Sequence, residues 1–231
     1  MRTLSVLTRV IDITRPLTWS SPAWPGDEPF TCGWASPPGR SAAAVSWMRL
    51  SPHVGTHIDA PLHLDPDGRD VASVPLLTCI GRCEVVRLAG HDRPIELADL
   101  PRGWNPSTPR VLFATGSWPA GTPIPARFAS LAPAFVDFLA RAGVALVGLD
   151  TPSVDAPDAA DLPAHRRCVE RNVLVLECLD LAHAEPGTYT LLAVPLPLVG
   201  LEASPVRALL LPARTLPAGM TERAGGIGAE T

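Results

Sequence analysis

The stretch HVGTHIDAPLH, residues 53–63, places three histidines and one aspartate within eleven residues. The chain has 231 residues and only six histidines in all. Imidazole nitrogens and carboxylate oxygens, here those of His53, His57, Asp59 and His63, are common ligands of divalent metal ions. The ordinary alternative is three unrelated histidines, each with its own hydrogen bond. So dense a cluster favours one shared site.

Two backbone conformations can bring these side chains together. In an extended chain the polar residues, all at odd positions, share one face. A straight strand would nevertheless separate His53 from Asp59 by about 20 Å, so the chain would have to bend at Gly55 and Pro61. In a single helical turn, His53 and His57 are four residues apart and converge directly. Both conformations bring the ligands together, and the sequence pattern does not distinguish between them.

The ligand types also indicate the kind of ion. Imidazole and carboxylate groups without thiolates fit zinc, manganese or iron(II) in a site that is not a structural, cysteine-based zinc site. An open coordination position would bind water and lower its pKa. His63 follows Pro61, where the chain is expected to turn away from the other ligands. We therefore predict that His63 acts as a general acid and base beside the metal site.

Two residues far along the chain are further candidates. His165 follows an acidic, proline-rich loop that comes after the apolar segment VALVGLD, residues 144–150. Loops at the carboxyl ends of such strands commonly form the sites of α/β proteins. Glu177 lies in the apolar segment NVLVLECLDL, residues 172–181, where a carboxylate is costly to bury unless it is paired or bound to a metal. The pattern alone is equally consistent with a solvent-exposed glutamate at a strand end.

Composition narrows the class of protein. With 231 residues and 46% hydrophobic content, the chain can form one substantial core. A formal charge of −4 does not favour nucleic acid or a membrane as partner, and the expected partner is a small-molecule substrate. The amino-terminal segment contains Arg9 and Asp12 where a signal peptide would be apolar, so we expect a cytoplasmic protein. The five cysteines show no framework spacing and are predicted to be free, mostly buried thiols.

Segments rich in β-branched residues and bounded by turn formers predict strands, and two helices are predicted at 132–142 and 163–170. The alternation of helix and strand predicts an α/β fold with a mixed sheet or β-barrel-like core and a few helices. The domain is expected to span residues 1–212, followed by a disordered tail at 213–231. Proline clusters at 16–38, 101–125 and 152–163 predict long loops. The predicted strands are Val6–Ile13, Ala44–Leu50, Gly81–Leu88, Arg110–Ala114, Val144–Leu149, Val173–Glu177, Tyr189–Val194 and Val206–Leu211.

The sequence resembles the cyclase-type metal-dependent hydrolase family. The signature of that family is H-x-G-T-H-x-D-x-P-x-H, and residues 53–63 match it throughout. The resemblance extends over about residues 8–212. It includes WPGD at 24–27, GLDTPSVD at 148–155, AHR at 164–166 and LEASPVR at 201–207. Within the family, these flanking blocks are most similar to the bacterial kynurenine formamidases, also called arylformamidases.

The resemblance implies a swivelling β/β/α fold, usually a homodimer, and an activity. That activity is hydrolysis of N-formyl-L-kynurenine to L-kynurenine and formate in tryptophan degradation. Other members of the family open cyclic amides such as isatin, and the signature does not separate the two substrates. A metal-binding protein without turnover is the alternative from another class, although the histidine at position 63 argues against it.

The resemblance also assigns residues to a site with two metal ions per subunit, usually zinc, with manganese as the alternative. The first ion would be held by His53, His57 and Asp59. Asp59 and Glu177 would bridge both ions, and His165 would complete the second. Two residues have other roles in this assignment. The proton donor and acceptor would be His63, and the side chain against the aromatic ring of the substrate would be Trp24.

Overall fold

The computed structural model describes residues 10–40 and 42–213 of the chain. The first four residues of the predicted strand Val6–Ile13 and all but the first residue of the predicted tail 213–231 lie outside the described residues. The helices are α1 (Leu76–Cys79), α2 (Pro133–Arg141) and α3 (Pro163–Glu170). The strands are β1 (Ile11–Asp12), β2 (Thr31–Ser36), β3 (Val45–Arg49), β4 (His57–Asp59), β5 (Ile80–Arg87), β6 (Pro94–Ile95), β7 (Arg110–Ala114), β8 (Ser130–Leu131), β9 (Leu146–Leu149), β10 (Leu174–Glu177), β11 (Gly187–Leu192), β12 (Ala203–Pro205) and β13 (Leu209–Pro212).

Within the described residues, nine strands form one curled, mixed sheet in the order β1-β13-β11-β5-β7-β9-β10-β4-β12. The central strands β5, β7, β9 and β10 run parallel, and the flanking strands pair antiparallel. Two small sheets, β2-β3 and β6-β8, complete the architecture. The predicted α/β fold with a mixed sheet and few helices is therefore confirmed. Among the described residues, no helix has both the length and the apolar character needed to cross a membrane.

The prediction of one long loop over residues 16–38 is wrong, because β2 lies within it. Within the part of the chain that the structure describes, β2 pairs only with β3, and every residue of β3 is exposed. This hairpin stands outside the main sheet, so β2 lacks the continuous apolar pattern of a buried strand. The predicted strand Val206–Leu211 also begins later than expected, at Leu209.

Side chains alternate along the central strands and fill two cores on opposite faces of the sheet. In β7, Leu112 and Ala114 belong to one core, while Val111 and Phe113 pack into the other together with residues of α2 and α3. Gly148 of β9 packs closely against the first core, because a Cβ at this position would come 2.4 Å from Leu112 Cδ2. The polar residues His57 and Asp59 of β4 and Glu177 of β10 belong to neither core.

The backbone of the signature stretch is extended and bent, so the structure favours the first of the two conformations. His57, Ile58 and Asp59 form β4 between β10 and β12. The chain bends before β4 at Gly55, whose φ of 78° suits glycine, and turns after it in a 3-10 helix over Pro61–His63. Ile58 is fully buried in the core. His57 and Asp59 therefore point to the opposite face of the sheet.

All five cysteines are free, and all but Cys32 are buried, as the sequence predicted. Burial raises the pKa of the Cys79 thiol to about 12. Burial likewise raises the pKa of Cys168 to about 12, against an opposing effect of the nearby His165. Thiols with such a pKa are protonated at neutral pH and unreactive.

Candidate metal centre and cavity

The structure brings together the polar residues of the signature stretch and the two distant candidates. Two groups of potential ligands have atoms within 4.8 Å of one another, and Asp59 belongs to both. His53 and His57 complete the first group, and His63 and His165 complete the second. The sheet explains how Glu177 joins them, because it lies directly opposite His57 on the neighbouring strand.

Four of these side chains point their polar atoms at a common centre. His57 Nε2 lies 3.4 Å from Asp59 Oδ1 and 3.3 Å from Glu177 Oε2. On the other side, His165 Nε2 lies 3.4 Å from Asp59 Oδ2 and 3.2 Å from Glu177 Oε1. None of the four residues is more than 5% exposed. Two imidazoles and two carboxylates therefore face one another away from solvent.

The second nitrogen of each buried imidazole has its own partner. His57 Nδ1 lies 2.9 Å from the carbonyl oxygen of Gly55, and His165 Nδ1 lies 2.7 Å from Asp155 Oδ2. Both partners are acceptors, so each Nδ1 carries a hydrogen and donates it. In a neutral ring, each Nε2 then presents a lone pair to the centre. This is the tautomer that metal-binding histidines require.

Three atoms at the centre are buried without a hydrogen-bond partner: His57 Nε2 and both carboxylate oxygens of Asp59. Buried polar atoms are costly to leave unpaired. Burial opposes the charged form of both groups. The mutual attraction of Asp59 and His57, together with hydrogen bonds from neighbouring side chains, outweighs burial; it raises the pKa of His57 well above its ordinary value and lowers that of Asp59 well below. The centre thus stabilises positive charge beside its carboxylates, and a divalent cation fits these donors.

Asp155 fixes His165 through three contacts. Besides the ring, its carboxylate accepts hydrogen bonds from the backbone N–H groups of Ala164 (2.7 Å) and His165 (3.0 Å). These groups lie in the first turn of α3, where backbone N–H groups need acceptors. Asp155 lies in the block GLDTPSVD at 148–155, where no sequence pattern indicates a role for it. Its contact with a histidine ten residues away is tertiary and leaves no periodic signal.

Glu177 is held in place by the loop that also contains Asp155. Its Oε1 accepts a hydrogen bond of 2.6 Å from the backbone N–H of Val154. The backbone of the next residue, Cys178, is held by the hydroxyl of Thr56, which donates to its carbonyl oxygen at 2.7 Å. Glu177 is therefore a buried carboxylate at the centre, and the alternative of a solvent-exposed strand-end glutamate is wrong.

His53 and His63 lie at the more open side of the centre. His53 Nδ1 lies 3.1 Å from Asp59 Oδ1, and its Nε2 lies 3.4 Å from Glu202 Oε1. The ring of His63 lies 4.5 Å from the ring of His53 and 5.5 Å from that of His165, between centroids. Burial lowers the pKa of His63 below its ordinary value, against the attraction of Asp59. A neutral His63 can accept a proton at neutral pH.

A cavity of about 320 Å³ opens over the centre. Trp24 and Trp118 contribute aromatic walls, and the ring of Trp24 packs edge-on against Phe128 at 6.4 Å. Trp24 begins a tight turn in which Asp27 N–H donates to its carbonyl oxygen at 3.0 Å, with Gly26 at a φ of 98°. The residues that line the cavity are Pro22, Trp24, Asp27, Ser51, His53, His63, Trp118, Ile124, Pro152, Ser153, Leu162, His165, Glu177, Cys178 and Glu202.

Comparison with known proteins places this arrangement in a family. The model of the cyclase family matches residues 11–156, and the chain belongs to that family. The fold is similar to that of a potential metal-dependent hydrolase with cyclase activity, at 27% identity and a TM-score of 0.76, over 87% of this chain and 96% of that one. It is also similar to a predicted metal-dependent hydrolase from Bacillus stearothermophilus, at 28% identity and a TM-score of 0.73, over 87% and 97% of the two chains.

A third similar structure is isatin hydrolase A from Ralstonia solanacearum. It shares 25% identity with this chain, with a TM-score of 0.74, over 88% of this chain and 92% of the other. These comparisons agree with the family resemblance of the signature stretch.

Proposed function

We propose that this protein is a metal-dependent amide hydrolase that converts N-formyl-L-kynurenine into L-kynurenine and formate. The observation that supports it most is the set of unpaired, buried donor atoms of His57 and Asp59, with a half-buried His63 beside them and an aromatic-walled cavity above. Membership of the cyclase family supports the hydrolase class. The blocks at 24–27 and 148–155, which are similar to the formamidases, favour this substrate.

In this proposal two sets of residues would each hold one metal ion, zinc first and manganese as the alternative. His53 and His57 would hold one ion, His165 would complete the site of the other, and Asp59 and Glu177 would contact both. Asp59 and Glu177 are shared, which fits carboxylates that each face both buried imidazoles. Divalent ions at these positions supply Lewis acidity, which polarises a carbonyl group and lowers the pKa of water.

His63 moves the proton that the reaction requires. Water adds its oxygen to the formyl carbon, the bond from that carbon to the aniline nitrogen breaks, and the nitrogen gains a proton. An aniline nitrogen leaves poorly unless it is protonated. His63 lies beside both groups of ligands, so it can accept a proton from water and return it to the leaving nitrogen. Its lowered pKa suits the accepting step.

The cavity binds the rest of the substrate. A volume of about 320 Å³ is at the lower end of the range for small-ligand pockets, and it suits a single aromatic ring with a short side chain. Trp24 and Trp118 provide ring surfaces at which an aromatic amide can pack. The aryl ring of N-formyl-L-kynurenine would lie between the metal centre and these indoles.

A second candidate substrate is a cyclic aromatic amide such as isatin. The similarity to the isatin hydrolase of Ralstonia solanacearum, at 25% identity, favours it. Isatin also contains an amide whose nitrogen is attached to an aromatic ring, so the same proton transfer by His63 would open it. The two substrates differ in whether the cleaved amide is linear or part of a ring.

A direct comparison of the two substrates tests the proposal. Protein stripped with a chelator is assayed with and without added Zn²⁺ or Mn²⁺, following kynurenine absorbance for one substrate and loss of isatin for the other. We expect metal-dependent release of kynurenine and slower opening of isatin. If the protein opens isatin in a metal-dependent way and releases no kynurenine, the proposed substrate would be a cyclic amide and not a linear one. No turnover of either substrate by metal-loaded protein would contradict the proposed function.

A further inference from the structure

The rim of the cavity is acidic. Asp27 and Glu202 both line it, in addition to the buried Glu177. No arginine is among its described lining residues, and the chain contains no lysine. The described side chains that line the cavity therefore include three carboxylates and no permanently charged cation.

Asp27 is held in place by its turn and by a neighbouring hydroxyl. The backbone N–H of Asp27 donates to the carbonyl oxygen of Trp24, and Ser51 Oγ donates to Asp27 Oδ2 at 3.2 Å. This hydroxyl uses one of the two carboxylate oxygens. Trp24 and Asp27 come from the same turn, so an aromatic surface and a carboxylate are presented to the cavity side by side.

Glu202 is fixed on the side of His53. Its carbonyl oxygen accepts a hydrogen bond of 2.7 Å from the N–H of Ala60, at the end of β4, and its Oε1 faces His53 Nε2 at 3.4 Å. The side chain remains 33% exposed. One carboxylate thus supports a predicted metal ligand and also borders the cavity.

We propose that Asp27 and Glu202 bind the ammonium group of the substrate, which makes the substrate class an aromatic amide with a cationic side chain. This inference rests on the proposed function for the bond that is cleaved. His63, His165 and Glu177 of the proposed metal centre line the same cavity as Asp27 and Glu202, so both carboxylates share it with the proposed site of cleavage. An alkyl ammonium keeps its charge at neutral pH, since its pKa is near the lysine value of about 10.4.

The same charges discriminate against acids. A carboxylate on the substrate side chain beside Asp27 and Glu202 would meet like charges, which are repulsive at a binding site, and no arginine is among the described lining residues to pair with it. The cavity should therefore recognise the amino group of N-formyl-L-kynurenine and not its carboxylate. N-formylkynuramine, which keeps the amine and lacks the carboxylate, should be at least as good a substrate.

Two substrates of matched shape test this inference. N-formylkynuramine carries an ammonium at the end of its side chain, and 2-formamidobutyrophenone has a methyl group in that place. We expect Asp27→Asn to lower kcat/KM about tenfold for the amine, equivalent to about 1.4 kcal/mol, and to leave the methyl compound within about twofold. Glu202→Gln, which keeps an acceptor for His53, should act in the same direction. Asp67→Asn, which removes an exposed charge outside the cavity lining, serves as the control.

The outcomes separate the inference from the proposed function. Equal losses for both compounds in Asp27→Asn would overturn the ammonium subsite while leaving the hydrolase intact. If neither formyl compound is cleaved, the proposed function fails, and the subsite is tested by calorimetry with kynuramine and 2-aminobutyrophenone on zinc-loaded protein. About tenfold weaker binding of kynuramine alone in Asp27→Asn would support the subsite. Equal affinity of the native protein for both compounds would overturn it.

Discussion

The two sides of the metal centre differ in how their side chains are held. We define the inner group as His57, Asp59, His165 and Glu177. These residues are at most 5% exposed, and they lie on β4, β10 and the first turn of α3. The outer group consists of partly exposed residues on turns, loops and a 3-10 helix: Trp24, Asp27, His53, His63 and Glu202.

This difference indicates that the two groups have different functions. Regular elements and buried second contacts, such as Asp155 on His165, hold ligands in a fixed geometry, which metal binding requires. Side chains on turns have more freedom, and loops commonly provide the groups that contact substrates. The inner group should therefore control metal content, and the outer group, apart from the proposed metal ligand His53, should control turnover and substrate affinity.

The largest expected effect comes from Asp59, which faces both sides of the inner group. Asp59→Ala should lose both metal ions and more than about a thousandfold of activity, because the shared carboxylate is removed. Metal content is measured by mass spectrometry, and circular dichroism checks the fold. Asp59→Asn, which keeps the shape of the side chain, is the matched variant. A metal-replete Asp59→Ala protein would show that Asp59 is not a ligand.

Substitution of His63 should show most clearly that turnover and metal binding depend on different residues. We expect His63→Ala to keep its metal content while kcat falls by about 10²- to 10⁴-fold, the usual contribution of a general acid and base. Metal content and kcat are measured on the same preparation. Loss of one ion would instead make His63 a ligand together with Asp59 and His165, the alternative that their spacing allows.

Substitution of Asp155 tests whether the hydrogen bond that holds His165 in place affects metal binding. Asp155→Asn should weaken the binding of one metal ion by about 10- to 100-fold, because the His165 ring loses its charged partner. The other ion, near His53 and His57, should bind as before. Titration of chelator-stripped protein with Zn²⁺ would resolve the two affinities. Equal weakening of both ions would indicate general destabilisation, which a melting curve would reveal.

The smallest expected effect lies in the outer group. Trp24→Ala should raise KM about tenfold and leave kcat within about threefold, because lost aromatic packing costs about 1–1.5 kcal/mol of binding. Trp24→Phe, which keeps a ring, should recover most of the affinity. Steady-state kinetics with N-formyl-L-kynurenine provide both constants. A fall in kcat with unchanged KM would place Trp24 with the groups that act on the reacting bond.

Local patterns allowed much of the fold to be predicted. The bounds of β7 and of α3 match the prediction residue by residue, because an apolar run and a proline-started helix are encoded within the segment itself. β4 was not predicted as a strand, since three residues are too few for a period-two pattern. Its position depends on pairing with β10, more than a hundred residues away.

The close spacing of the candidate ligands made them visible in the sequence. The side chains that hold those ligands in place could not be predicted. The density of His53, His57, Asp59 and His63 is visible in eleven residues. The contacts of Asp155 with His165 and of Glu202 with His53 arise only when separate segments meet in the folded chain. Single carboxylates in proline-rich or polar loops resemble ordinary surface residues, so no sequence pattern distinguished them.

The central claim is that the inner group, together with His53, binds two metal ions that share Asp59. X-ray diffraction from crystals of the zinc-loaded protein, measured on both sides of the zinc absorption edge, locates bound zinc directly. The account predicts two anomalous peaks, one beside His53 and His57 and the other beside His165, with Asp59 between them. A single peak, or none among these residues, would contradict it.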